Sequence, residues 1–330
     1  MFKRIGRIRT FTPFTENEPL SKLLGLPVYI KHEEYPGLEA RKLDFLMYDI
    51  VRLGISDVVL YGRHTSQFTR LFVNELSFVG IDVHCVFADE YIPDYAHCLS
   101  LLHIAGAHTH GTQSTDYAAA LSSNLSDAGK TVLLIGAGGA RSVAAMSGVS
   151  LLDEIDIQLD TTPSIVDKNT GATIYVGVDS GATLAGMYIG NELYKARGGD
   201  KQFTIVGVPV FEYGEDTENV VRSMVLASYT YLVSEAKSAK FKEFEHVPDS
   251  VDVLLSGTSV SSGMNPYTGS FIRDFFKYTK LTVDYIYAAR TAKALTLDIQ
   301  QSSVAGPVVF VNPCLPVSQY FTYNTPQPTL

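Results

Sequence analysis

The chain has 330 residues, of which 46% are hydrophobic and 18% are charged, and its formal net charge is −9. This size allows a full hydrophobic core divided between two lobes. An acidic chain without a basic run is a poor ligand for nucleic acid or for an anionic membrane, and no apolar stretch approaches the ~20 residues that span a bilayer.

Apolar β-branched runs alternate with helical periodicity along the chain. The runs predict strands at 27–31, 57–62, 82–87, 131–136, 173–178, 203–210 and 307–311. The periodic segments predict helices at 41–54, 66–80, 138–152, 180–196 and 217–237, and 256–270 reads as a loop. Strands that alternate with helices indicate βαβ units, so the predicted fold class is α/β, with open, mostly parallel sheets flanked by helices.

The spacing of the cysteines and histidines indicates the redox compartment of the protein and whether a metal site is expected. The three cysteines are far apart and form no CxxC pair, which fits a reducing cytoplasm and gives no disulfide framework and no zinc site. No apolar segment follows the basic residues at the N-terminus, so we expect no signal peptide and a cytoplasmic protein. His108 and His110 are spaced to share one face of a strand, but without a third ligand a solvated face is favoured over a metal pair.

Several motifs occur in one order along nearly the whole chain. They are "TPFTENEPLSKLLGLPVYIK" (12–31), "RKLDFL" (41–46), "LYGRHTSQFTR" (60–70), "VDSGATLAGM" (178–187) and "VVFVNPCLP" (308–316). In this order they resemble the D-cysteine desulfhydrase and 1-aminocyclopropane-1-carboxylate deaminase family, which consists of pyridoxal-phosphate enzymes of the tryptophan-synthase-β-like fold, fold-type II. The resemblance implies a smaller α/β domain at 46–150, inserted into a larger one of 1–45 and 151–330, and a homodimer.

The departures from the family pattern fall on cofactor positions. Glu39, or a gap beside it, stands where the family has the lysine that binds the cofactor, whereas Lys31 and Lys42 match other lysines of the family. Ala288 follows the tyrosine match Tyr287 in place of a residue that meets the pyridine nitrogen. The family's "HTGG" turn corresponds to "NPCL" at 312–315. The sequence therefore predicts that pyridoxal phosphate is not bound covalently and that no cofactor is used.

The resemblance and the loop positions together select candidate site residues. The candidate catalytic residues are Tyr287, Ser66, His64 and Glu39. The candidate ligand-binding residues are Thr65, Gln67, Arg141, Asp179, Ser180, Gly181, Ala182, Thr183, Asn312 and Cys314, and no metal ligands are predicted.

Most of these residues also have a simpler interpretation. Ser66 and Asp179 are equally suited to helix N-caps. His64, Arg141 and Glu39 are equally suited to the protein surface, and Cys314 to a small buried position.

Two functions follow from this pattern. The first is an enzyme independent of pyridoxal phosphate, with acid–base chemistry of the lyase, isomerase or cyclase type on a small, carboxylate-bearing molecule. Its ligand would lie in the former cofactor cleft and contact the 64–67 loop, the 179–183 loop and Tyr287. The second is a catalytically inactive relative that binds a small ligand or a partner protein.

Overall fold

The computed structural model describes residues 11–33, 37–64, 66–88, 96–163, 165, 171–210, 217–239, 252–256, 266–284, 287–301, 304 and 306–313. Within these ranges the chain forms two compact units. Residues 39–144 form the small unit, and residues 11–38 with 145–313 form the large unit. Each unit has its own sheet.

The strands and helices alternate along the described chain. The strands are β1 (Phe14–Glu16), β2 (Val28–His32), β3 (Asp57–Gly62), β4 (Asp82–Phe87), β5 (His108–Thr112), β6 (Val132–Ile135), β7 (Ala172–Val178), β8 (Phe203–Pro209) and β9 (Val308–Asn312). The helices are α1 (Glu18–Leu24), α2 (Gly37–Arg52), α3 (Gln67–Phe78), α4 (Ala96–Ile104), α5 (Thr115–Asp127), α6 (Met146–Thr161), α7 (Ala182–Ala196), α8 (Thr217–Ala239), α9 (Pro266–Thr279) and α10 (Ala288–Gln301). This alternation confirms the predicted α/β class with mostly parallel sheets.

The sheet of the large unit has the order β1-β2-β9-β7-β8. Strands β2, β9, β7 and β8 run parallel, and β1 pairs with β2 antiparallel at one edge. The strands β2 and β9 are buried along almost their whole length, as their continuous apolar runs require in a sheet covered on both faces. Their side chains meet those of α10, including Ala292 and Leu295, in the main core of this unit.

Helices α6 and α7 of the large unit pack with their backbones in close contact. A Cβ atom at Gly186 would lie 1.7 Å from the carbonyl oxygen of Ala145, and one at Gly148 would lie 2.1 Å from that of Thr183. Only glycine fits at such distances, so these two positions fix where α7 begins. The start of α7 is one part of the candidate site.

The sheet of the small unit has the order β5-β4-β3-β6, and all of its pairs are parallel. Helix α5 covers one face, where Ala118 packs on Val59 and Val86. The edge strand β5, "HTHGT", is mostly exposed or half-buried. This polar edge explains why an apolar pattern did not predict a strand there.

Two predicted segments are wrong. The helix predicted at 138–152 begins instead at Met146 and ends at Thr161, because Gly138 and Gly139 adopt positive φ angles of 63° and 77° in a turn that interrupts helical geometry. The predicted loop at 256–270 includes the start of α9 at Pro266, while 257–265 lies outside the described residues. Among the helices that the structure describes, none is both long enough and apolar enough to cross a membrane.

Candidate functional site

The carboxyl edge of the small sheet collects several of the predicted residues. Strand β3 ends at Gly62 and continues through His64 into α3, and β6 ends at Ile135 before the glycine turn at 136–140. The glycine turn lies against the end of β3 and the first turn of α3, since a Cβ at Gly62 would meet Ala137 and one at Gly139 would meet the ring of Phe68. Ligands of open parallel sheets bind at this edge.

The first turn of α3 presents polar side chains at this edge. Ser66 is its N-cap, and its Oγ accepts a hydrogen bond from the Thr69 N–H at 3.3 Å. The Oε1 atom of Gln67 is buried and has no hydrogen-bond partner among the residues that the structure describes. The capping interpretation of Ser66 is therefore correct, and Gln67 offers an acceptor to a ligand.

His64 is buried rather than at the surface. Its side chain is 1% exposed, and its ring lies edge-on to Phe87 with centroids 6.1 Å apart. The interpretation of His64 as a plain surface residue is wrong, because the end of β4 covers it. Thr65, the other candidate in this loop, lies outside the described residues.

Lys42 and Glu39 form a pair at the start of α2. The Nζ atom of Lys42 lies 3.2 Å from Oε2 of Glu39 and donates to the carbonyl oxygen of Gly138 at 3.1 Å. The Lys42 side chain is 8% exposed and that of Glu39 is 20% exposed. Glu39 is therefore mostly buried, and the pair connects the first turn of α2 to the glycine turn after β6.

Arg141 has a local partner. Its Nη1 donates to the carbonyl oxygen of Leu134 at 2.8 Å, and its side chain is half-buried. The guanidinium thus holds the segment after the glycine turn against β6. The role predicted for Arg141, binding a ligand carboxylate, remains a prediction.

In the large unit, the start of α7 and Tyr287 meet. Gly181 occupies the N-cap position of α7 with φ of 81° and contributes no side-chain cap, so the amide groups of the first turn are available as donors. A Cβ at Gly181 would lie 3.3 Å from Val221, in a conformation that L side chains rarely adopt. Such a helix start favours anions.

Asp179 accepts a hydrogen bond from a side chain. The Tyr287 hydroxyl donates to Oδ2 of Asp179 at 2.9 Å. The interpretation of Asp179 as an N-cap is therefore wrong, since Gly181 has that position. Ser180 is half-buried, whereas Gly181, Ala182 and Thr183 are buried.

The start of α10 fixes Tyr287. The carboxylate of Asp284 accepts hydrogen bonds from the Tyr287 N–H at 2.7 Å and from the Ala288 N–H at 2.9 Å. Asn312, at the end of β9, is fully buried, and its Nδ2 donates to the carbonyl oxygen of Thr282 at 3.2 Å. Cys314 lies outside the described residues.

Sequence reasoning missed the buried network around Lys31. Its Nζ lies 2.5 Å from Glu154 Oε1, and it donates to Gln158 Oε1 at 2.7 Å and to the Thr12 carbonyl at 3.0 Å. Glu154 and Gln158 are four residues apart on α6, which was a signal that they share one face. The spacing of Glu154 and Gln158 could not show that they meet Lys31 of β2.

A histidine cluster lies between β4 and β5 of the small unit. His84 Nε2 lies 3.6 Å from Asp57 Oδ1, and His84 Nδ1 lies 3.2 Å from His110 Nε2. The rings of His84 and His108 stack with centroids 4.8 Å apart. Burial, followed by the charge of His108, lowers the pKa of His84. In the described part of the chain no group of three or more His, Cys, Asp or Glu side chains is arranged to hold a metal ion.

Comparison with known proteins finds relatives that carry the names of amino-acid enzymes. It is 26% identical over 293 residues to a Pyrococcus furiosus protein with the provisional name 1-aminocyclopropane-1-carboxylate deaminase, covering 81% of this chain and 84% of the relative. It is 26% identical over 208 residues to the mitochondrial bifunctional D-cysteine desulfhydrase/1-aminocyclopropane-1-carboxylate deaminase of Arabidopsis thaliana, covering 57% of this chain and 51% of that protein. No family model matches the chain.

Solved structures share the fold. The crystal structure of an ACC deaminase homologue superposes with a TM-score of 0.72 at 21% identity, over 95% of this chain and 92% of that one. A pyridoxal 5'-phosphate-dependent aspartate racemase gives a TM-score of 0.57 at 14% identity, over 92% of this chain and 89% of the racemase. The two-lobed fold-type II architecture predicted from the sequence is thereby confirmed at the level of fold.

The prediction that no cofactor is used is wrong. The similar proteins, among them a pyridoxal 5'-phosphate-dependent aspartate racemase, point to this cofactor rather than to none. The prediction assumed that the departures at Glu39, at Ala288 and at 312–315 together remove the cofactor. Such departures from a family pattern do not by themselves exclude it.

The start of α7 in the large unit is suited to the phosphate of pyridoxal phosphate, which needs a donor-rich anion site. Its N-cap Gly181 provides no side-chain cap, and Ser180 and Thr183 lie beside it. The phosphate therefore fits there, although the carboxylate of Asp179 disfavours an anion unless Tyr287 holds it aside.

Proposed function

We propose that this chain, which is similar to proteins named 1-aminocyclopropane-1-carboxylate deaminase and D-cysteine desulfhydrase, is a lyase-type enzyme that uses pyridoxal phosphate to act on a small amino acid. The observation that carries the proposal is the start of α7. Its first amide groups carry no side-chain cap, and Gly181 allows close approach to them. This arrangement is suited to a phosphate group.

When bound, pyridoxal phosphate withdraws electrons from the α-carbon of an amino acid, so that a bond to that carbon can break. The residues of this chain would bind and orient. The first amides of α7, with Ser180 and Thr183, would hold the phosphate. The Tyr287 hydroxyl, which donates to Asp179 Oδ2 at 2.9 Å, would be a candidate proton donor.

The test combines binding with turnover. The purified full chain is dialysed against pyridoxal phosphate, and the bound cofactor is measured by absorbance and by competition with inorganic phosphate. The loaded protein is then assayed with D-cysteine and with 1-aminocyclopropane-1-carboxylate for release of sulfide or ammonia. We expect about one cofactor per chain, displaced by phosphate. Absence of binding at concentrations far above those that saturate a known pyridoxal-phosphate enzyme would contradict the proposal.

A second candidate is a catalytically inactive binding protein, and the hydrogen bond from Tyr287 to Asp179 favours it. In this bond the tyrosine hydroxyl already has an acceptor inside the protein. Saturable cofactor binding without turnover of any amino acid in a panel of D and L isomers would support this second candidate over the first.

A further inference from the structure

Polar side chains of β3, β4, β5 and α5 form a continuous chain of contacts within the small unit. The Tyr117 hydroxyl lies 3.3 Å from His110 Nδ1, and His110 Nε2 lies 3.2 Å from His84 Nδ1. At the other end, His84 Nε2 faces the Asp57 carboxylate at 3.6 Å. The side chains of His84 and Asp57 are only 13% and 2% exposed, so their partners come mainly from the protein.

The neutral form of this chain has a proton arrangement that satisfies every contact. An ionised carboxylate only accepts, so His84 carries its proton on Nε2, toward Asp57, and its Nδ1 is an acceptor. His110 then donates from Nε2 to His84, and its Nδ1 accepts from the Tyr117 hydroxyl. Donation therefore runs in one direction, from the tyrosine to the buried carboxylate.

The two imidazole rings can take up one proton without losing their contact, but not two. When His84 is doubly protonated, His110 can move its own proton from Nε2 to Nδ1 and donate to the Tyr117 oxygen, so that each contact still joins a donor to an acceptor. When both rings are doubly protonated, two N–H groups face each other where the nitrogens are 3.2 Å apart. Two positive charges at this distance also repel each other. The second proton therefore breaks the contact.

Charged and titratable groups face the two rings from each element around them. They are Asp57 of β3, Asp82 of β4, His108 of β5, Tyr117 of α5 and Lys130 before β6. Lys130 lies 3.3 Å from one aspartate and 3.8 Å from the other, so it offsets part of their attraction for protons. Burial, followed by the charge of a neighbouring histidine, lowers the pKa of both rings. The neutral form is accordingly favoured at neutral pH.

Strand β5 is weakly held apart from this contact. It is the edge strand of the small sheet and pairs with β4, with a register shift between Cys85 and Phe87. Its residues are exposed or half-buried along the whole strand. On the side of α4, His103 Nε2 lies 2.8 Å from Thr109 Oγ1. An edge strand with so little burial depends on side-chain pairs with its neighbour and opens at a low free energy.

We propose that the contact between His84 and His110 is a pH-sensitive device that holds β5 on β4 at neutral pH and releases it when both rings are protonated. Release is local, so that β3, β4 and β6 remain paired. The released strand binds one proton more than the paired strand. Below pH 6.5, the ordinary pKa of histidine, opening should therefore become roughly tenfold more favourable per unit of pH.

The test is amide hydrogen exchange of the purified full chain, with mass spectrometry of peptides that cover 108–113 and, for comparison, β6. The Gln113 N–H donates to the carbonyl oxygen of Phe87 at 2.9 Å, so its amide reports on the pairing with β4. Protection factors are corrected for the intrinsic dependence of exchange on pH. Between about pH 6.5 and about pH 5.5 we expect the protection of 108–113 to fall roughly tenfold and that of β6 to fall less than about threefold.

Two variants remove the titration and keep a polar group in place. His84→Asn retains an amide near the position of Nδ1, and His110→Gln retains one near the position of Nε2. In either variant the protection of 108–113 should no longer fall over this range. His103→Asn is the control, because His103 contacts Thr109 of the same strand from α4, and it should keep the response of the unaltered chain.

Three results would overturn the proposal. They are an equal fall in β6, which would indicate global unfolding, the absence of a fall at 108–113 in the unaltered chain, and an undiminished fall in a folded His84→Asn or His110→Gln variant. Circular dichroism at both pH values establishes that each variant is folded. Since either substitution leaves a single titratable ring in the contact, one folded variant is sufficient for the comparison.

Discussion

Two buried lysines, one in each unit, differ in the number and the exposure of the groups that pair with their ammonium. Lys31 in β2 is fully buried, and three acceptors on α6 and the N-terminal segment surround its ammonium. Lys42 in α2 has one mostly buried carboxylate and one carbonyl. The difference is the number of acceptors and the exposure of the carboxylate, 5% for Glu154 and 20% for Glu39.

This difference shows that the cost of breaking a buried ion pair depends on how far the partner of the charged residue is exposed to water. A buried ion pair is costly to break because the remaining charge cannot be solvated. A pair with a partly exposed carboxylate can be broken at smaller cost, since water reaches the remaining group. The ion pair of Lys31 should therefore be costly to break, and that of Lys42 should be less costly to break.

The largest expected effect is at Lys31. Lys31→Met leaves the buried Glu154 carboxylate without its cation, and we expect a loss of about 3–5 kcal/mol in the free energy of unfolding. Urea denaturation followed by circular dichroism measures it. The double variant Lys31→Met with Glu154→Leu should recover much of the loss, because no charge is then left buried. A loss below about 1 kcal/mol in the single variant would contradict the expected difference between the ion pairs of Lys31 and Lys42.

The matched change at Lys42 should cost less. Lys42→Met removes two hydrogen bonds, but the partly exposed Glu39 can be solvated, so we expect a loss of about 1 kcal/mol. The same urea titration, on cofactor-free protein, provides the comparison. Equal losses for Lys31→Met and Lys42→Met would show that both lysines are structural.

A smaller effect is expected at the carboxylate beside α7. Asp179→Asn removes a negative charge near the helix start, so the affinity for inorganic phosphate should rise roughly two- to fivefold. Equilibrium dialysis at low ionic strength measures the affinity, and the gain should shrink in high salt. Glu192→Gln, near the other end of the same helix, is the control and should leave the affinity unchanged. A gain as large in the control would assign the effect to net charge.

The smallest expected effect is the pH response of the histidine cluster. In the folded chain the pKa of His84 is lowered from its ordinary value of 6.5. Just below pH 6.5 the His84 side chain is therefore protonated more often in the unfolded chain than in the folded one. Its contribution to stability is therefore complete above about pH 6.5 and is lost as the pH falls. Burial alone would raise the pKa of Asp57, but hydrogen bonds from Ser56 and Lys130 outweigh burial and lower it. The contribution of Asp57 to stability is therefore lost only at more acidic pH.

His84→Asn should flatten this response by on the order of 0.5 kcal/mol between about pH 7.5 and about pH 5. Urea midpoints at the two pH values measure the slope. The groups that contribute are Asp57, Asp82, His108 and His110. His103→Asn, on the exposed side of α4, is a control for loss of any histidine. An unchanged slope in His84→Asn would show that the histidine cluster does not contribute to the dependence of stability on pH.

Much of the fold could be predicted because the relevant patterns are local. Strands such as β3 and β4 are apolar runs buried on both faces, and both were predicted with the bounds that the structure gives. Helix α9 escaped although Phe271, Ile272 and Phe275 share its core-facing side, because its start was read as the end of a polar loop. Strand β5 escaped because it is polar and lies at the exposed edge of its sheet. Ser66 as an N-cap was predictable, since capping depends on neighbours three residues away.

The sequence by itself determined the α/β class and the order of the motifs that carry the family resemblance, because hydrophobic period and motif order are properties of the chain. Only the tertiary structure decided which side chains meet. Tyr287 reaches Asp179 across 108 residues, and Lys31 reaches Glu154 across 123. Lys42 extends toward Glu39 and Gly138 because helical side chains incline toward the N-terminus. An alignment compares positions in the chain, whereas chemistry depends on where the nitrogen and oxygen atoms lie.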